Sequence, residues 1–224
     1  MKQTLTISIP TTWKDITLGT YLEMQNDLEN YRDDEEAQTA LMLIHLCKIQ
    51  PEYLKSLSAE SYNLLRSKLG GFISPEGIEL KRFIQIDGRE YGFEPNLSQM
   101  SYGAYADITV NDTITIDKNW AKVMSILYRP VVEKSGDKYR IEPYTGEIRD
   151  KLFLQTDMET NWGALFFFLN LQTDLLNAIL KSLKVTELPP NMQSIFRASG
   201  EHIQRLLSSP MGTSDLLMKL SKSH

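Results

Sequence analysis

The sequence contains very little cysteine and histidine, and this shortage argues against several kinds of site. Its 224 residues include one cysteine, Cys47, and three histidines, His45, His202 and His224. A single cysteine cannot form an internal disulfide, which fits a reducing compartment. His45 and Cys47 are two positions apart on a predicted helix, so they lie on different faces. No HExxH motif or second cysteine accompanies them, so we expect no metal site.

Motifs for nucleophilic or phosphate chemistry are also missing. There is no GxSxG elbow, and Cys47 lies in an apolar helix, where a thiol is usually inert. The stretch KLGGFISPEG at 68–77 lacks a following GK[ST], so helix capping explains its glycines better than a nucleotide site does. Asp107, Asp112 and Asp117 do not have the alternate spacing of an EF-hand loop. We therefore predict that the protein is not an enzyme and holds no cofactor.

Strong charge and long hydrophobic runs are lacking as well. The net charge is −5, and lysine and arginine are scattered rather than clustered. Because nucleic-acid-binding proteins usually carry a basic face, we expect no nucleic-acid partner. The longest apolar stretch, WGALFFFLNL at 162–171, is about half as long as a membrane-spanning helix needs to be. The N-terminal residues do not resemble a signal peptide, so a soluble protein without a membrane span is predicted.

The hydrophobic pattern predicts a mainly α protein of the α+β class, namely a helical bundle with two small β-hairpins. Apolar residues at helical spacing indicate a helix from about Thr17. The acidic run DDEE at 33–36 has the charge that favours a helix start, so it predicts the beginning of the next helix. Thr156 and Glu159 form a capping-box pattern before the longest helix, predicted at 157–184.

Two segments predict β-hairpins. Asp87-Gly88 is the strongest short hairpin signal because both residues tolerate positive φ, and a two-residue turn there pairs Ile84 with Tyr91. The segment VVEKSGDKYRIEPY at 131–144 predicts a second hairpin around Ser135-Gly136-Asp137. The helix before it should end near Arg129, because Pro130 disfavours helical geometry at the preceding residue.

The chain is predicted to divide near residue 150. Residues 1–150 are predicted as a helical domain that carries both hairpins, with an edge strand at 4–9. Residues 151–224 are predicted as C-terminal helices, one of them near 192–208. These helices either pack on the first domain or continue it as one domain.

Tyrosine and arginine interleave in the middle of the chain, and protein interfaces prefer both residue types. A competing interpretation is that the tyrosines only cover a small sheet that cannot bury itself. The tyrosines are Tyr91, Tyr102, Tyr105, Tyr128, Tyr139 and Tyr144. The residues predicted to contact a partner are Tyr128, Arg129, Tyr139, Arg140 and Tyr144, with Trp120 as an anchor beneath them. We expect Arg129→Glu to weaken partner binding without unfolding the chain.

Three stretches together resemble proteins of one kind. They are WKDITLGTYLEMQ at 13–25, REYGFEPNLSQMSYGAYADI at 89–108, and WAKVMSILYRPV at 120–131, which is followed by YRIEPY at 139–144. In their hydrophobic and turn positions they resemble small proteins from the structural-gene regions of tailed bacteriophages, particularly phages of Bacteroidetes hosts, including crAss-like phages. The resemblance covers about residues 10–150.

The resemblance implies a non-enzymatic virion-associated protein that acts through protein–protein contacts. Such a protein is a tail or neck component, or is packaged within the particle. The alternatives are a tail-assembly chaperone that is absent from the mature virion, and a soluble regulator directed at the host. The implied partners are other phage structural proteins and a second copy of the chain. The implied location is the virion, or the host cytoplasm during assembly.

Overall fold

The structure is a computed structural model that describes residues 7–70, 75, 77–108 and 115–182, with side chains as far as residue 171. The helix predicted near 192–208 lies outside these residues, and so does the first half of the strand predicted at 4–9. Residues 7–9 of that strand are described and belong to no strand. The helices are α1 (Leu18–Leu28), α2 (Glu35–Cys47), α3 (Pro51–Ser56), α4 (Ala59–Gly70), α5 (Tyr102–Ile108), α6 (Trp120–Leu127), α7 (Asp150–Phe153) and α8 (Met158–Ser182).

Side-chain caps begin the first two helices. Thr17 Oγ1 accepts a hydrogen bond from the Thr20 N–H at 3.2 Å, which starts α1 where the sequence predicts it. Asp34 Oδ1 accepts from the Ala37 N–H at 2.9 Å, so the acidic run does begin α2. Each cap satisfies a backbone donor that has no partner within its own helix.

The start of α8 differs from the prediction in one detail. Asp157 Oδ1, not Thr156, accepts from the Thr160 N–H at 2.8 Å. The Thr156 hydroxyl instead donates to the carbonyl of Phe153 at 2.6 Å. Because α7 ends only a few residues before α8 begins, the Thr156 side chain bonds to the preceding turn. The capping-box assignment to Thr156 is therefore wrong, while the predicted start of the helix is confirmed.

The strands form one antiparallel sheet in the order β1-β2-β3-β4. They are β1 (Phe83–Ile86), β2 (Arg89–Phe93), β3 (Tyr128–Ser135) and β4 (Lys138–Ile141). Ile84 is opposite Tyr91, and Asp87 and Gly88 have φ of 49° and 76°, as the Asp-Gly turn predicts. Because β2 also pairs with β3, all four strands belong to a single sheet. The α+β class is therefore confirmed.

Helix α6 passes directly into strand β3 without a loop. The helix ends at Leu127, and Tyr128 already has extended φ and ψ of −105° and 114°. Pro130 lies opposite Tyr91, and its carbonyl accepts from the Glu142 N–H at 2.9 Å. The chain thus changes from helix to strand at Tyr128, and α6 ends two residues before its predicted end near Arg129.

The side chain of Tyr139 on β4 packs against β1 and β2. Tyr139 lies over Gly92, where an added Cβ would be 2.9 Å from the Tyr139 ring. The Tyr139 hydroxyl donates to the carbonyl of Phe93 at 2.6 Å, and its ring meets that of Phe83 edge to face at 4.6 Å. The side chain missing from Gly92 is what lets Tyr139 approach this closely.

One hydrophobic core contains residues from both sides of the predicted boundary at residue 150. The rings of Trp13 and Tyr21 each lie 5.7 Å from that of Trp162 on α8. The predicted domain division stays a prediction, but the first turns of α8 pack on the N-terminal helices. Every helix that the structure describes is too short or too polar to cross a membrane.

Candidate functional site

Trp120 lies inside the core, and its role as an anchor for a partner contact stays a prediction. Its Nε1–H donates to Asn161 Oδ1 at 3.0 Å, and Asn161 Nδ2 donates to Thr156 Oγ1 at 2.9 Å. Trp120 and Asn161 are almost completely buried. Because this buried polar chain is hydrogen-bonded at each step, Trp120 holds α6 against the start of α8.

Tyr128 is also a core residue, so its prediction as a contact residue is wrong. Its side chain is fully buried, and its hydroxyl donates to the carbonyl of Lys81 at 2.6 Å. Tyr128 is directly opposite Phe93 in the sheet, and the two rings lie 5.2 Å apart. Burial raises the pKa of the phenol. The direct passage from α6 into β3 turns this side chain toward the core.

Arg129 forms an ion pair with Glu94, and the two side chains are 11% and 10% exposed. Each charge at such a position needs its partner for stability. If one is removed, the other stays at a nearly buried position without a counter-charge. Arg129→Glu would put a second carboxylate beside Glu94. We therefore correct the expectation that this variant stays folded.

Tyr139 and Arg140 are adjacent on β4 but differ in exposure. Tyr139 is half-buried by its packing over β2, and burial raises the pKa of its hydroxyl. The side chain of Arg140 is largely exposed and lies 3.2 Å from the equally exposed Glu133. Such a surface pair contributes little to stability, so Arg140 is available for contact.

Tyr144 connects the segment after β4 to α5. Its hydroxyl donates to Asp107 Oδ2 at 2.5 Å, and Lys122 on α6 donates to Asp107 Oδ1 at 3.2 Å. Burial, followed by the bond to Asp107, raises the pKa of Tyr144 to about 12. The bond from Tyr144, followed by that from Lys122, lowers the pKa of Asp107. A neutral phenol and an ionised carboxylate are the pair that this geometry favours.

The most exposed aromatic residues of the region are two tyrosines on α5. Tyr102 is 84% exposed and Tyr105 is 58% exposed. An added Cβ on Gly103 would lie 3.7 Å from the ring of Tyr144, so Tyr144 rests against the same helix. We call Tyr102, Tyr105 and Tyr144 the tyrosine surface. Tyr102 and Tyr105 are missing from the predicted contact set.

The spacing of Tyr102 and Tyr105 in the sequence indicates that they form one surface. Tyr102 and Tyr105 are three positions apart, so on a helix they share one side. Ala104 is the buried residue of α5. Ile108 also packs partly against the core, so the side of this short helix that carries the two tyrosines faces solvent.

A small cavity of about 160 Å³ borders the tyrosine surface at Tyr144. Its charged lining residues are Arg129, Arg149, Glu142 and Glu147. Arg149 lies 3.4 Å from Glu142 and 3.0 Å from Glu147, and its hydrogen bond lowers the pKa of Glu147. Because positive and negative groups compensate each other, the cavity is not arranged to attract an ion of either sign.

The six predicted contact residues are therefore not one surface. Trp120 and Tyr128 are in the core, Arg129, Tyr139 and Tyr144 are partly buried, and Arg140 is exposed. Within the described ranges, no group of three or more His, Cys, Asp or Glu side chains could hold a metal ion. Cys47 is buried, and this raises the pKa of its thiol to about 11. A thiol in that environment is a poor nucleophile.

No protein-family model matches the chain, and no curated protein or solved structure shows significant similarity to it.

Proposed function

We propose that the protein is a non-enzymatic bacteriophage virion-associated protein that binds other phage structural proteins through the tyrosine surface. It acts as a tail or neck component or as a protein packaged within the particle. The observation that carries the binding proposal is the exposure of Tyr102 and Tyr105, 84% and 58%, beside Tyr144. Exposed tyrosine that is clustered in this way is typical of protein contact sites.

The surroundings of the tyrosine surface support this proposal. Tyr144 is held by Asp107, and Asp107 is held in turn by Lys122 on α6. A surface that is already ordered loses little conformational freedom when a partner binds. In this proposal the helical bundle with its two hairpins is the scaffold that presents the surface.

The assignment to a phage rests on the three resembling stretches. The tyrosine surface lies within them, because Tyr102 and Tyr105 belong to the second stretch and Tyr144 ends the third. Arg140, which is exposed on β4, also belongs to the third stretch.

Two matched double variants test the contact. Tyr102→Ser with Tyr105→Ser removes the proposed site, while Tyr31→Ser with Tyr53→Ser removes two tyrosines that are 47% and 41% exposed elsewhere. We expect the first variant to lose about tenfold or more in affinity for the phage structural partner, because central aromatic residues dominate interfaces. The control should keep its affinity, and both should unfold at the urea concentration of the wild type.

Quantification of purified mature particles tests the biological role. Many copies per particle are expected for a virion component. Abundance in infected-cell extracts without presence in particles would instead support a tail-assembly chaperone. A chain that stays monomeric with all of its phage's structural proteins and turns over a small molecule would contradict the proposal.

A further inference from the structure

Strand β1 has an open edge. It is the first strand of the sheet order, and none of the residues that the structure describes pairs with its outer side. The Phe93 N–H donates to the Arg82 carbonyl at 2.8 Å, which sets the alternation of hydrogen bonds between β1 and β2. In an antiparallel pair this alternation directs the N–H and C=O groups of Phe83 and Gln85 away from β2.

The sequence of β1 does not protect this edge. Natural proteins usually protect an open edge with charges, proline or a bulge. The four residues of β1 are Phe-Ile-Gln-Ile, which include neither a charge nor a proline. Its regular register with β2 shows no bulge.

A cleft of about 350 Å³ runs along the open edge. One wall is formed by β1 with Lys81, and the other by the chain between α7 and α8 and the first turn of α8. The second wall contributes the exposed Gln155, whose amide group can bond to a main chain, while the buried Thr160 hydroxyl is already bonded to Lys81 and Asp157.

The second wall already pairs with extended chain elsewhere in the molecule. Thr17 forms an antiparallel bridge with Asp157. The Leu18 N–H donates to the Thr156 carbonyl at 2.8 Å, and the Met158 N–H donates to the Ile16 carbonyl at 2.8 Å. The Thr156 carbonyl and the Met158 N–H are therefore already bonded, so a strand added in the cleft would pair with β1 and meet the second wall through side chains.

The charges in the cleft restrict what can bind. Lys81 Nζ lies 3.2 Å from Asp157 Oδ1 and 3.2 Å from Glu159 Oε1. The Thr160 hydroxyl bonds to the other Asp157 oxygen at 2.8 Å. Lys14 also pairs with Glu159 at 3.6 Å, so two lysines balance the two carboxylates, and a charged side chain entering here would have to disrupt these pairs. A segment with uncharged side chains is the complement of this lining.

The shape of the cleft favours a single strand. A strand added to β1 would lie about 4.8 Å from it, on the side where residues 155–157 and Thr160 form the opposite wall. A strand that belongs to another sheet brings its own neighbours, and the wall formed by α8 obstructs them. This obstruction argues against edge-to-edge pairing of two copies.

We propose that this cleft binds an extended, uncharged segment of a partner protein, with alternating apolar and polar residues, as an additional strand beside β1. Main-chain hydrogen bonds supply the affinity in this mode of binding, and alternate side chains supply the specificity. The cleft shares no residue with the tyrosine surface, so the inference does not depend on the proposed function.

Amide hydrogen exchange of the full chain tests the inference. The probe is the peptide acetyl-Gln-Thr-Val-Thr-Val-Thr-Gln-amide, and the control is the same peptide with N-methyl groups on alternate residues. In the free chain the Phe83 and Gln85 amides should exchange faster than those of Ile84 and Ile86. With the probe, exchange at Phe83 and Gln85 should slow about tenfold or more, because both amides gain partners. The N-methylated peptide should have no effect.

Variants on the two walls distinguish loss of probe binding caused by a blocked cleft from loss caused by misfolding of the protein. Gln85→Pro removes an outward N–H, Gln85→Ala keeps it, and Gln155→Trp fills the cleft from an exposed position on the opposite wall. Gln85→Pro and Gln155→Trp should lose the probe, while Gln85→Ala should keep it.

Three results would overturn the inference. One is no change in exchange up to the solubility limit of the probe. Another is unchanged probe binding by Gln155→Trp. The third is protection of Phe83 and Gln85 in a dimer of the free chain, which would make a second copy the occupant.

Discussion

The junction between α6 and β3 and the helix α5 carry the same kind of side chain with opposite exposure. Tyr128 at the junction is fully buried, whereas Tyr102 on α5 is 84% exposed. The difference arises from the backbone, because Tyr128 is opposite Phe93 in the sheet, while α5 turns Ala104 rather than Tyr102 toward the interior. Tyrosine and arginine content therefore indicates a region of interest, but the secondary structure decides which residues reach a partner.

Trp120→Ala is the strongest test of the assignment of the junction to the core. It removes a buried indole and leaves the Asn161 amide oxygen without the hydrogen bond that the indole donates. We expect a loss of about 4 kcal/mol in the free energy of unfolding, because truncation of a buried aromatic leaves a cavity. Urea denaturation measures this loss. Tyr102→Ala is the matched control on α5, and an equal loss there would abolish the comparison.

Arg129→Glu should have the next largest effect. It replaces the ion pair with Glu94 by two carboxylates at a nearly buried position. We expect a loss of about 3 kcal/mol in unfolding free energy, as for other broken buried pairs. The charge-swapped double variant, Arg129→Glu with Glu94→Arg, should recover part of that loss. A wild-type urea midpoint for the single variant would instead restore Arg129 as a surface residue.

Local features of the fold could be predicted from the sequence because they depend on neighbouring residues. The Asp87-Gly88 turn determines the pairing of Ile84 with Tyr91, and the acidic run before α2 supplies its cap. In both cases the physical cause lies within a few residues of its consequence.

The parts that could not be predicted depend on contacts between distant segments. The pairing of β2 with β3 joins residues 91–93 to 128–130, and no local pattern indicates it. Lys81 and Asp157, which line the cleft beside β1, are 76 positions apart. The burial of Tyr128 follows from the same long-range pairing, so a composition argument could not identify it.

Tyr128→Phe tests the same region with a smaller change. The ring and its packing on Phe93 remain, but the hydroxyl that bonds to the Lys81 carbonyl at 2.6 Å is lost. We expect a loss of about 1.5 kcal/mol, because a buried carbonyl loses its partner. Thermal or urea unfolding measures it. Tyr102→Phe is the control, and its stability should not change because its hydroxyl is at an exposed position.

The smallest effect is expected where the tyrosine surface joins the rest of the fold. The bonds from Tyr144 and Lys122 lower the pKa of Asp107 below its ordinary value of 3.8. A carboxyl whose pKa is lowered on folding stabilises the folded state above its ordinary pKa, and this contribution is lost as the pH falls through the lowered value.

Asp107→Asn should therefore be less stable than the wild type near neutral pH, and the difference should shrink as the pH falls below 3.8. The urea midpoint of both proteins, measured across that range, gives the comparison. Tyr144→Phe should produce a similar pH-dependent difference, because it removes the other half of the same bond. If the Asp107→Asn difference did not vary with pH, the carboxylate would not be what holds Tyr144. The tyrosine surface would then lack the support that distinguishes it from an ordinary exposed helix.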